Sequence, residues 1–347
     1  MKACATLSPP DETFAPGLNP GAQPVFQIGN RVVTVDDVLA AAVWRGELEP
    51  FLARHRAGVE AEHRAELLGL EPDPEAVDSW VNEFRYARDL VSAEECEQWL
   101  TARGLTADDL LGTARRQALT DATGVEVTVR VDPGSRVWFA DVLLSDGFDE
   151  LVRAWAWRLA WVIESGELEE GIPGGKLPTE TREKIEAGFA KACVELRHDE
   201  RLRRELAARR LSLLWVAGTE VVFPDESAAR EALFCVGEDG MGLAAIGAEH
   251  GLPRSDREGF VGDQPGDWET WLVSAKPGDA FRPPVADAAD PEGWSVFHLL
   301  RRREPTLDDP DVVERLTGEI QRRHFLELEA RHVRWFPGMQ PVAEVGL

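Results

Sequence analysis

Cysteine is scarce in this sequence, and its few cysteines lie far apart. The 347 residues include 4 cysteines, namely Cys4, Cys96, Cys193 and Cys235, and no two of them form a CxxC pair. This spacing argues against a zinc site and against a disulfide framework, because both need closely spaced or regularly paired cysteines. Cys96, Cys193 and Cys235 lie in apolar helical patterns, so we predict buried, reduced thiols there.

Positive charge is also in deficit, with a formal net charge of -25. A nucleic-acid-binding protein needs a basic face that neutralises phosphates, and anionic membranes attract basic segments. The basic runs at 201–210, 301–303 and 321–323 lie within acidic helices or at the end of a strand. They therefore predict solvated faces with local ion pairs. We expect neither nucleic acid nor membrane as a partner.

Long apolar runs are missing as well. No stretch has the length and hydropathy of a membrane span, and the first 24 residues lack the continuous apolar run of a secretory signal. The sequence therefore predicts a cytoplasmic protein. Residues 1–24 are rich in Pro, Gly and Ala, which predicts a flexible arm.

The sequence contains no G-x-S-x-G motif, no P-loop and no GxGxxG motif. The patterns that accompany a serine nucleophile or a nucleotide are therefore missing. One alternative is metal binding, because two Glu-x-x-His motifs, Glu60–His63 and Glu329–His332, are typical of di-iron helical bundles. With abundant Glu and 7 histidines, however, two such matches are unremarkable. We predict no metal and no cofactor.

What the sequence does contain is apolar material and clear helix signals. Hydrophobic residues make up 44% of the chain, including 12 tryptophans, which predicts a globular protein of two or three domains. Residues 25–35 predict a hairpin around Gly29-Asn30. Five short helices follow up to about residue 120. Their predicted start signals are Thr34 with Asp37, Pro50, Asp73-Pro74, the capping box Ser92–Glu95, and Thr106 with Asp109.

The pattern changes at Leu211. A strand, three short helices, a short extended segment and a long strand predict a small α+β domain. A long amphipathic helix over 310–335 follows, and its stripe Leu316, Ile320 and Leu328 predicts packing on residues 35–120. The predicted fold class is α+β, mostly helical.

Five pieces of this region stand in the order and at the spacing of a parvulin-type (PpiC-type) rotamase domain, which residues 211–305 resemble. Such domains begin with a strand often reading R-H-I-L, continue with helices, a glycine-bearing loop and an L.PG..S.PV turn, and close with G-[YF]-H-[IV]-[IV]-K-[VL]. The corresponding pieces are RLSLLWV (210–216), GLAAIGAEHG (242–251), REGFVGD (257–263), LVSAKPGDAFRPPV (272–285) and GWSVFHLL (293–300).

The flanking segments resemble SurA-like foldases. VFQIGNRVVTV is similar to the start of such proteins, and ECEQWLTARGLTADDL at 95–110 is similar to a pattern in their helical chaperone domain. In that family a C-terminal helix packs back on the N-terminal helices, a role that DVVERLTGEIQRRHFLELEARHV fits. As an acidic chain with a helical insert, the protein most resembles PpiC-related peptide maturation system proteins of peptide natural-product gene clusters.

The resemblance implies a SurA-like helical chaperone domain plus a degenerate parvulin-like α+β domain. The predicted segments are a flexible arm at 1–24, a helical N-terminal domain at 25–124, a helical insert of unknown relation at 125–210, the parvulin-like domain at 211–305, and a C-terminal helix with its tail at 306–347.

The resemblance also indicates a site. Parvulins hold the prolyl bond against two histidines, a Cys or Asp, and an apolar pocket. Here Ser212 or Leu213 falls at the first histidine position and Ser295 at the second. His298 comes three residues later and, by strand alternation, lies on the opposite face from Ser295. We therefore expect no efficient prolyl isomerisation. The predicted peptide-binding residues are Trp215, Phe260, Trp271, Leu272, Phe281, Trp294 and Ser295, and Phe297 is a further candidate.

The sequence thus favours a protein that binds a peptide or unfolded protein client. The client expected from the resemblance is a ribosomal precursor peptide that is presented to its modifying enzymes. Two alternatives remain open. The first alternative is an active peptidyl-prolyl isomerase. The second is a peptide-modifying enzyme with its site in residues 125–210.

Overall fold

The computed structural model describes residues 19–123, 134–168, 172–173, 177–264, 266–281 and 293–341. The chain divides into two compact units. The first contains residues 1–191 and 324–343, and the second contains residues 192–323 and 344–347. The described residues form thirteen α-helices and seven strands in two antiparallel sheets, which confirms the α+β, mostly helical fold class. Of the arm predicted at 1–24, residues 1–18 lie outside the described residues, as does the extended segment over 125–132. The described part of the arm is not flexible in character, because Pro20–Ala22 form a short 3-10 helix in which Pro20 and Gly21 are buried.

The first unit is mostly helical. Its strands are β1 (Pro24–Ile28), β2 (Arg31–Thr34) and β7 (Val333–Trp335), and its helices are α1 (Val35–Arg45), α2 (Glu49–Leu68), α3 (Pro74–Tyr86), α4 (Ala93–Ala102), α5 (Ala107–Thr123), α6 (Arg136–Leu143) and α7 (Asp146–Ser165). Helix α8 (Thr179–Leu196) begins in this unit and ends in the second.

The second unit contains the other sheet. Its strands are β3 (Trp215–Phe223), β4 (Arg254–Phe260), β5 (Ala280–Phe281) and β6 (Trp294–Arg303), and its helices are α9 (Asp199–Ala208), α10 (Glu226–Gly237), α11 (Leu243–Glu249) and α12 (Gly266–Leu272). Helix α13 (Pro310–His332) begins in this unit and ends in the first.

The predicted helix starts are confirmed. Thr34 and Asp37 form a capping box for α1, and Ser92 and Glu95 form one for α4. The Asp73 side chain accepts a hydrogen bond from the backbone N–H of Glu75 at 3.1 Å and caps α3. Each cap satisfies N–H groups that the helix itself leaves unpaired, which is why sequence spacing alone predicts these starts.

The hairpin of the first unit is confirmed, and Gly29 at its turn has a φ of 55°. The C-terminal helix ends at His332, three residues earlier than predicted. The next three residues form β7, which pairs antiparallel with β1 in the order β2-β1-β7. The β1 backbone provides a ladder of hydrogen-bonding partners, which an apolar stripe in the sequence does not reveal.

Residues 136–165, which resemble no part of the foldase pattern, pack within the first unit. Helix α6 contacts α2 and α5, and α7 contacts α1. Trp138 and Trp155 are almost fully buried. The end of α13 packs through Phe325, whose ring lies 5.6 Å from that of Trp157 and 4.7 Å from that of Phe189. The described aromatic partners of α13 in this unit thus come from α7 and α8.

The sheet of the second unit has the strand order β4-β3-β6-β5. Two pieces differ from the prediction: residues 211–214 precede β3 instead of starting it, and the loop expected at 257–263 is partly the end of strand β4. Strand β4 is a largely exposed edge strand rich in charged residues, a composition that resembles a loop.

Each face of this sheet has its own apolar cluster. One face packs Val221, Phe223 and Val296 against α10 and α11, and the other packs Val216, Phe297 and Leu299 against α12. We call the second of these the Ser295 face, because Ser295 has the same strand parity as Phe297.

Candidate functional site

Ser295 is buried and hydrogen-bonded to a carboxylate. Its hydroxyl donates to Oε1 of Glu220, which is also buried. The contact follows from the register, since Ser295 on β6 pairs with Val222 on β3 and Glu220 lies two residues away on the same face. Ser295 stands where the resemblance places the second histidine, and the side chain that it contacts there is Glu220.

The other oxygen of Glu220 is also occupied. Oε2 accepts from Ser255 Oγ at 3.3 Å and from Arg257 Nε, both on β4. The Arg257 side chain is 47% exposed, and its guanidinium carbon lies 5.6 Å from the centre of the Trp268 ring. The carboxylate thus has donors at both oxygens, as a buried charge requires.

An aromatic cluster adjoins this network on the same face. Trp271 stacks on Phe281 with ring centres 4.9 Å apart, and Trp268 lies 5.0 Å from Phe297. Trp271 and Phe281 are only partly buried. Gly218 allows this arrangement, because a Cβ there would lie 2.3 Å from the Phe297 ring. The Ser295 face therefore combines partly exposed rings with a half-exposed guanidinium.

Three of the predicted residues lie near the opposite end of the sheet. Ser212 precedes β3 and donates to the carbonyl of Arg209 at 3.0 Å. Trp215 and Phe260 are register partners. Trp215 pairs with Arg303, whereas Val222 pairs with Ser295. At about 3.3 Å per residue, the seven residue steps between Trp215 and Val222 separate these ends by roughly 23 Å.

Arginine side chains cover the two rings at that end. Arg303 lies 4.9 Å from the Trp215 ring, and Arg315 lies 5.1 Å from the Phe260 ring. These cation–π contacts give both rings a structural partner within the second unit.

Two further predicted residues belong to the sheet's apolar packing. Leu272 is completely buried in the cluster on the Ser295 face. Trp294 packs against the cluster on the other face, with Val296 and Phe223. Because neighbouring strand residues alternate, Trp294 and Ser295 cannot line one groove. Of the predicted residues, the structure brings together Ser295, Trp271, Leu272 and Phe281, with the further candidate Phe297.

His298 lies on the face opposite Ser295, as strand alternation predicted. It is buried and pairs in register with Thr219. Burial lowers the pKa of His298 below its ordinary value, although a hydrogen bond with the backbone of Gly278 opposes this shift. His298 therefore does not supply the missing imidazole beside Ser295.

Sequence reasoning missed Glu220 and Arg257. A signal for Glu220 existed, because it is the only charged residue in the otherwise apolar or small strand WVAGTEVVF. A lone carboxylate in such a strand needs a partner when it is buried. The exposed strand that carries Arg257 gave no comparable signal.

In the second Glu-x-x-His motif, both Glu329 and His332 have other contacts. Glu329 accepts from the indole N–H groups of Trp157 at 2.8 Å and Trp335 at 3.2 Å. His332 Nε2 lies 2.7 Å from a Glu164 oxygen. In the described ranges, no group of three or more His, Cys, Asp or Glu side chains is arranged to hold a metal ion. Among those same residues, none of the helices has both the length and the apolar character needed to cross a membrane.

Two solved structures are similar to this chain. One is foldase protein PrsA from Lactococcus lactis, with 12% identity and a TM-score of 0.30 over 90% of this chain and 95% of that chain. The other is foldase protein PrsA from Streptococcus pneumoniae strain Canada MDR_19A, with 12% identity and a TM-score of 0.29 over 92% and 97%. No family model matches the sequence, and no curated protein matches it. At these scores, function must be inferred from the chain's own residues.

Proposed function

We propose that this chain is a peptide-binding, foldase-like protein. Its second unit is a degenerate parvulin domain that holds an extended peptide on the Ser295 face without efficient prolyl isomerisation. The observation that carries this proposal is the hydrogen-bonded network of Ser295, Glu220 and Arg257 beside the partly exposed rings of Trp271 and Phe281.

The network explains why turnover is not expected. Prolyl isomerisation is accelerated by groups that stabilise the twisted amide better than the planar one. The Ser295 hydroxyl already donates to Glu220, and both carboxylate oxygens already accept hydrogen bonds. Neither residue therefore has a donor directed at a bound prolyl bond.

The same face retains features suited to binding. The stacked rings of Trp271 and Phe281 offer apolar contact area to client side chains. The half-exposed guanidinium of Arg257 offers further N–H donors to peptide carbonyl groups. An extended peptide would thus find apolar and polar contacts within one surface.

The client we propose is a ribosomal precursor peptide that the protein presents to modifying enzymes in the cytoplasm. The resemblance to peptide maturation system proteins supports this client. In the same proposal, residues 25–124 and the C-terminal helix form a SurA-like chaperone domain, and residues 211–305 form the parvulin-like one.

A pair of tryptophan variants tests where the peptide binds. Trp271→Ala on the Ser295 face should weaken client affinity on the order of thirtyfold, since an aromatic anchor contributes about 2 kcal/mol or more. The matched control Trp294→Ala, on the other face, should lower the free energy of unfolding by roughly 3 kcal/mol and leave affinity unchanged at low temperature. Fluorescence anisotropy with a labelled client and thermal melts measure both. Equal affinities of Trp271→Ala and wild type would contradict the proposal.

A protease-coupled assay on a short X-Pro peptide tests the catalytic part. We expect turnover far below that of an intact parvulin, because the donors near Ser295 are engaged with each other. Turnover comparable to an intact parvulin would establish the isomerase alternative instead.

A further inference from the structure

The first unit contains a cavity that the proposed function does not use. It has a volume of about 590 Å³ and lies among α2, α3, α5 and α6. Gly58 on α2 faces α5, because a Cβ at this position would lie 3.3 Å from Cβ of Arg116. A cavity of this size is typical of sites for small ligands or single peptide side chains.

The floor of the cavity is charged and buried. Asp141 Oδ1 accepts from Arg116 Nη2 at 2.7 Å and from Thr113 at 3.0 Å, and Asp141 Oδ2 lies 2.6 Å from Nδ1 of His55. The Arg116 side chain is 8% exposed. Its Nη1 makes no hydrogen bond to any residue that the structure describes, yet it is not fully enclosed. Arg116 lines the cavity, and this nitrogen is the cationic donor of its side chain that the described residues leave unused.

One wall of the cavity is aromatic. The Trp80 and Phe84 rings stack with their centres 5.5 Å apart, and Trp80 is only partly buried. The guanidinium of Arg88 lies 4.1 Å from the Phe84 ring, and its charge is balanced by Asp146 at 2.7 Å. This wall suits an apolar or aromatic side chain.

The charges that line the cavity balance, since three arginines, Arg54, Arg88 and Arg116, face three carboxylates, Glu83, Asp141 and Asp146. Asp141 pairs with Arg116, and Asp146 pairs with Arg88. Arg54 lines the cavity, is exposed and has no ion-pair partner within the described part of the chain. Glu83 also lines the cavity and opposes an anion near it, and its carboxylate accepts from Ser79 at 3.1 Å. Arg54 can therefore balance the charge of an incoming carboxylate.

We propose that this cavity binds the C-terminal residue of a peptide, with its carboxylate at Arg116 and Arg54 and its apolar side chain against Trp80 and Phe84. A guanidinium donor forms a stronger, charge-assisted hydrogen bond with a carboxylate than with a neutral acceptor. The inference rests on the proposed function only in taking a peptide as the ligand, and it gives the first unit a recognition role of its own.

The test uses the full chain and a fluorescein-labelled pentapeptide ending in phenylalanine, as the free acid and as the C-terminal amide. Anisotropy should show that the amide binds on the order of tenfold or more weakly, because it loses a charge-assisted hydrogen bond. Arg54→Gln should weaken binding of the free acid severalfold and leave binding of the amide unchanged. The matched control Arg56→Gln, on the same helix but outside the cavity lining, should change neither.

Ala57→Leu supplies a second arm, because it adds volume at the cavity lining without changing charge. Ala57→Leu should also weaken binding of the free acid. A melting temperature equal to that of the wild type would show that the variant folds. Equal binding of acid and amide, or no effect of Arg54→Gln and Ala57→Leu, would overturn the inference.

The Trp271→Ala variant separates this inference from the proposed function. If the free acid loses affinity in Trp271→Ala but not in Arg54→Gln, the probe binds the Ser295 face, so the cavity inference fails and the proposed function stands. If Arg54→Gln weakens the free acid while no client binds the Ser295 face, the cavity inference stands and the proposed function fails. Absence of binding at millimolar protein overturns the inference.

Discussion

Two buried carboxylates, Asp141 in the first unit and Glu220 in the second, are held by different architectures. Asp141 lies on a helix and receives donors from two other helices, through His55, Thr113 and Arg116. Glu220 lies on a strand and receives its donors from the two neighbouring strands of its own sheet. In the helical unit the network joins three separate helices, whereas in the sheet it joins strands that the backbone ladder already pairs.

The arginine partners differ in exposure. The Arg116 side chain is 8% exposed, while that of Arg257 is 47% exposed. If its carboxylate is lost, Arg257 can turn to water, but Arg116 remains a buried charge without compensation. The comparison therefore teaches that the helical carboxylate is the more important of the two for stability, and that the strand carboxylate lies closer to a surface that can bind a ligand.

The largest effect is expected from Asp141→Ala. Removing this carboxylate leaves Arg116 and His55 without their partner, so the free energy of unfolding should fall by about 3–5 kcal/mol. Urea unfolding followed by tryptophan fluorescence measures the change. Glu49→Gln is a control in the same unit, since Glu49 is 69% exposed and an exposed pair contributes at most about 1 kcal/mol. If Asp141→Ala lowers the free energy of unfolding by less than Glu49→Gln does, the comparison of the two carboxylates is contradicted.

The second prediction concerns acid. Burial would raise the pKa of Asp141, but the hydrogen bond from His55 and the charge and hydrogen bonds of Arg116 outweigh it and hold the pKa below its ordinary value of 3.8. As pH falls, the Asp141 carboxylate therefore becomes protonated in the unfolded chain before it does so in the folded chain. The stability that Asp141 contributes is fully present above about pH 4 and is lost as pH falls through the lowered folded-state pKa.

Urea titrations of wild type and Asp141→Asn between pH 2 and pH 6 test this sign. The difference in unfolding free energy should be constant at the upper end of the range and shrink toward the lower end. A difference that grows as pH falls would show that Asp141 is destabilised as an anion in the folded chain.

The smallest effects are expected at the sheet. Glu220→Gln keeps an acceptor for Ser295 but places an amide N–H2 group opposite Arg257, which is half-exposed and can turn to water, so it should cost about 1 kcal/mol. Arg257→Gln takes the cation from the buried Glu220 carboxylate but leaves it the hydroxyl donors of Ser255 and Ser295, so it should cost about 1–2 kcal/mol. Denaturant titrations measure both variants. If Glu220→Gln proves as costly as Asp141→Ala, the distinction between the two carboxylates is lost.

Local features were predictable from the sequence to a useful degree. The capping boxes at Thr34 and Ser92 are confirmed because a cap joins residues three apart, so that spacing alone specifies it. The hairpin around Gly29 is confirmed for a similar reason. Placing Trp294 in the same groove as Ser295 was avoidable, since strand alternation already separates adjacent residues.

What the sequence by itself determined is therefore the helix start signals, the first hairpin and the α+β class, since these depend on periodicity and on contacts within a few residues. Only the tertiary structure decided that Glu220 meets Ser295, 75 positions away, and that Asp141 meets His55, 86 positions away. Such pairs depend on strand register and helix packing. Those are fixed by burying the whole apolar surface at once, and no short stretch of sequence encodes them.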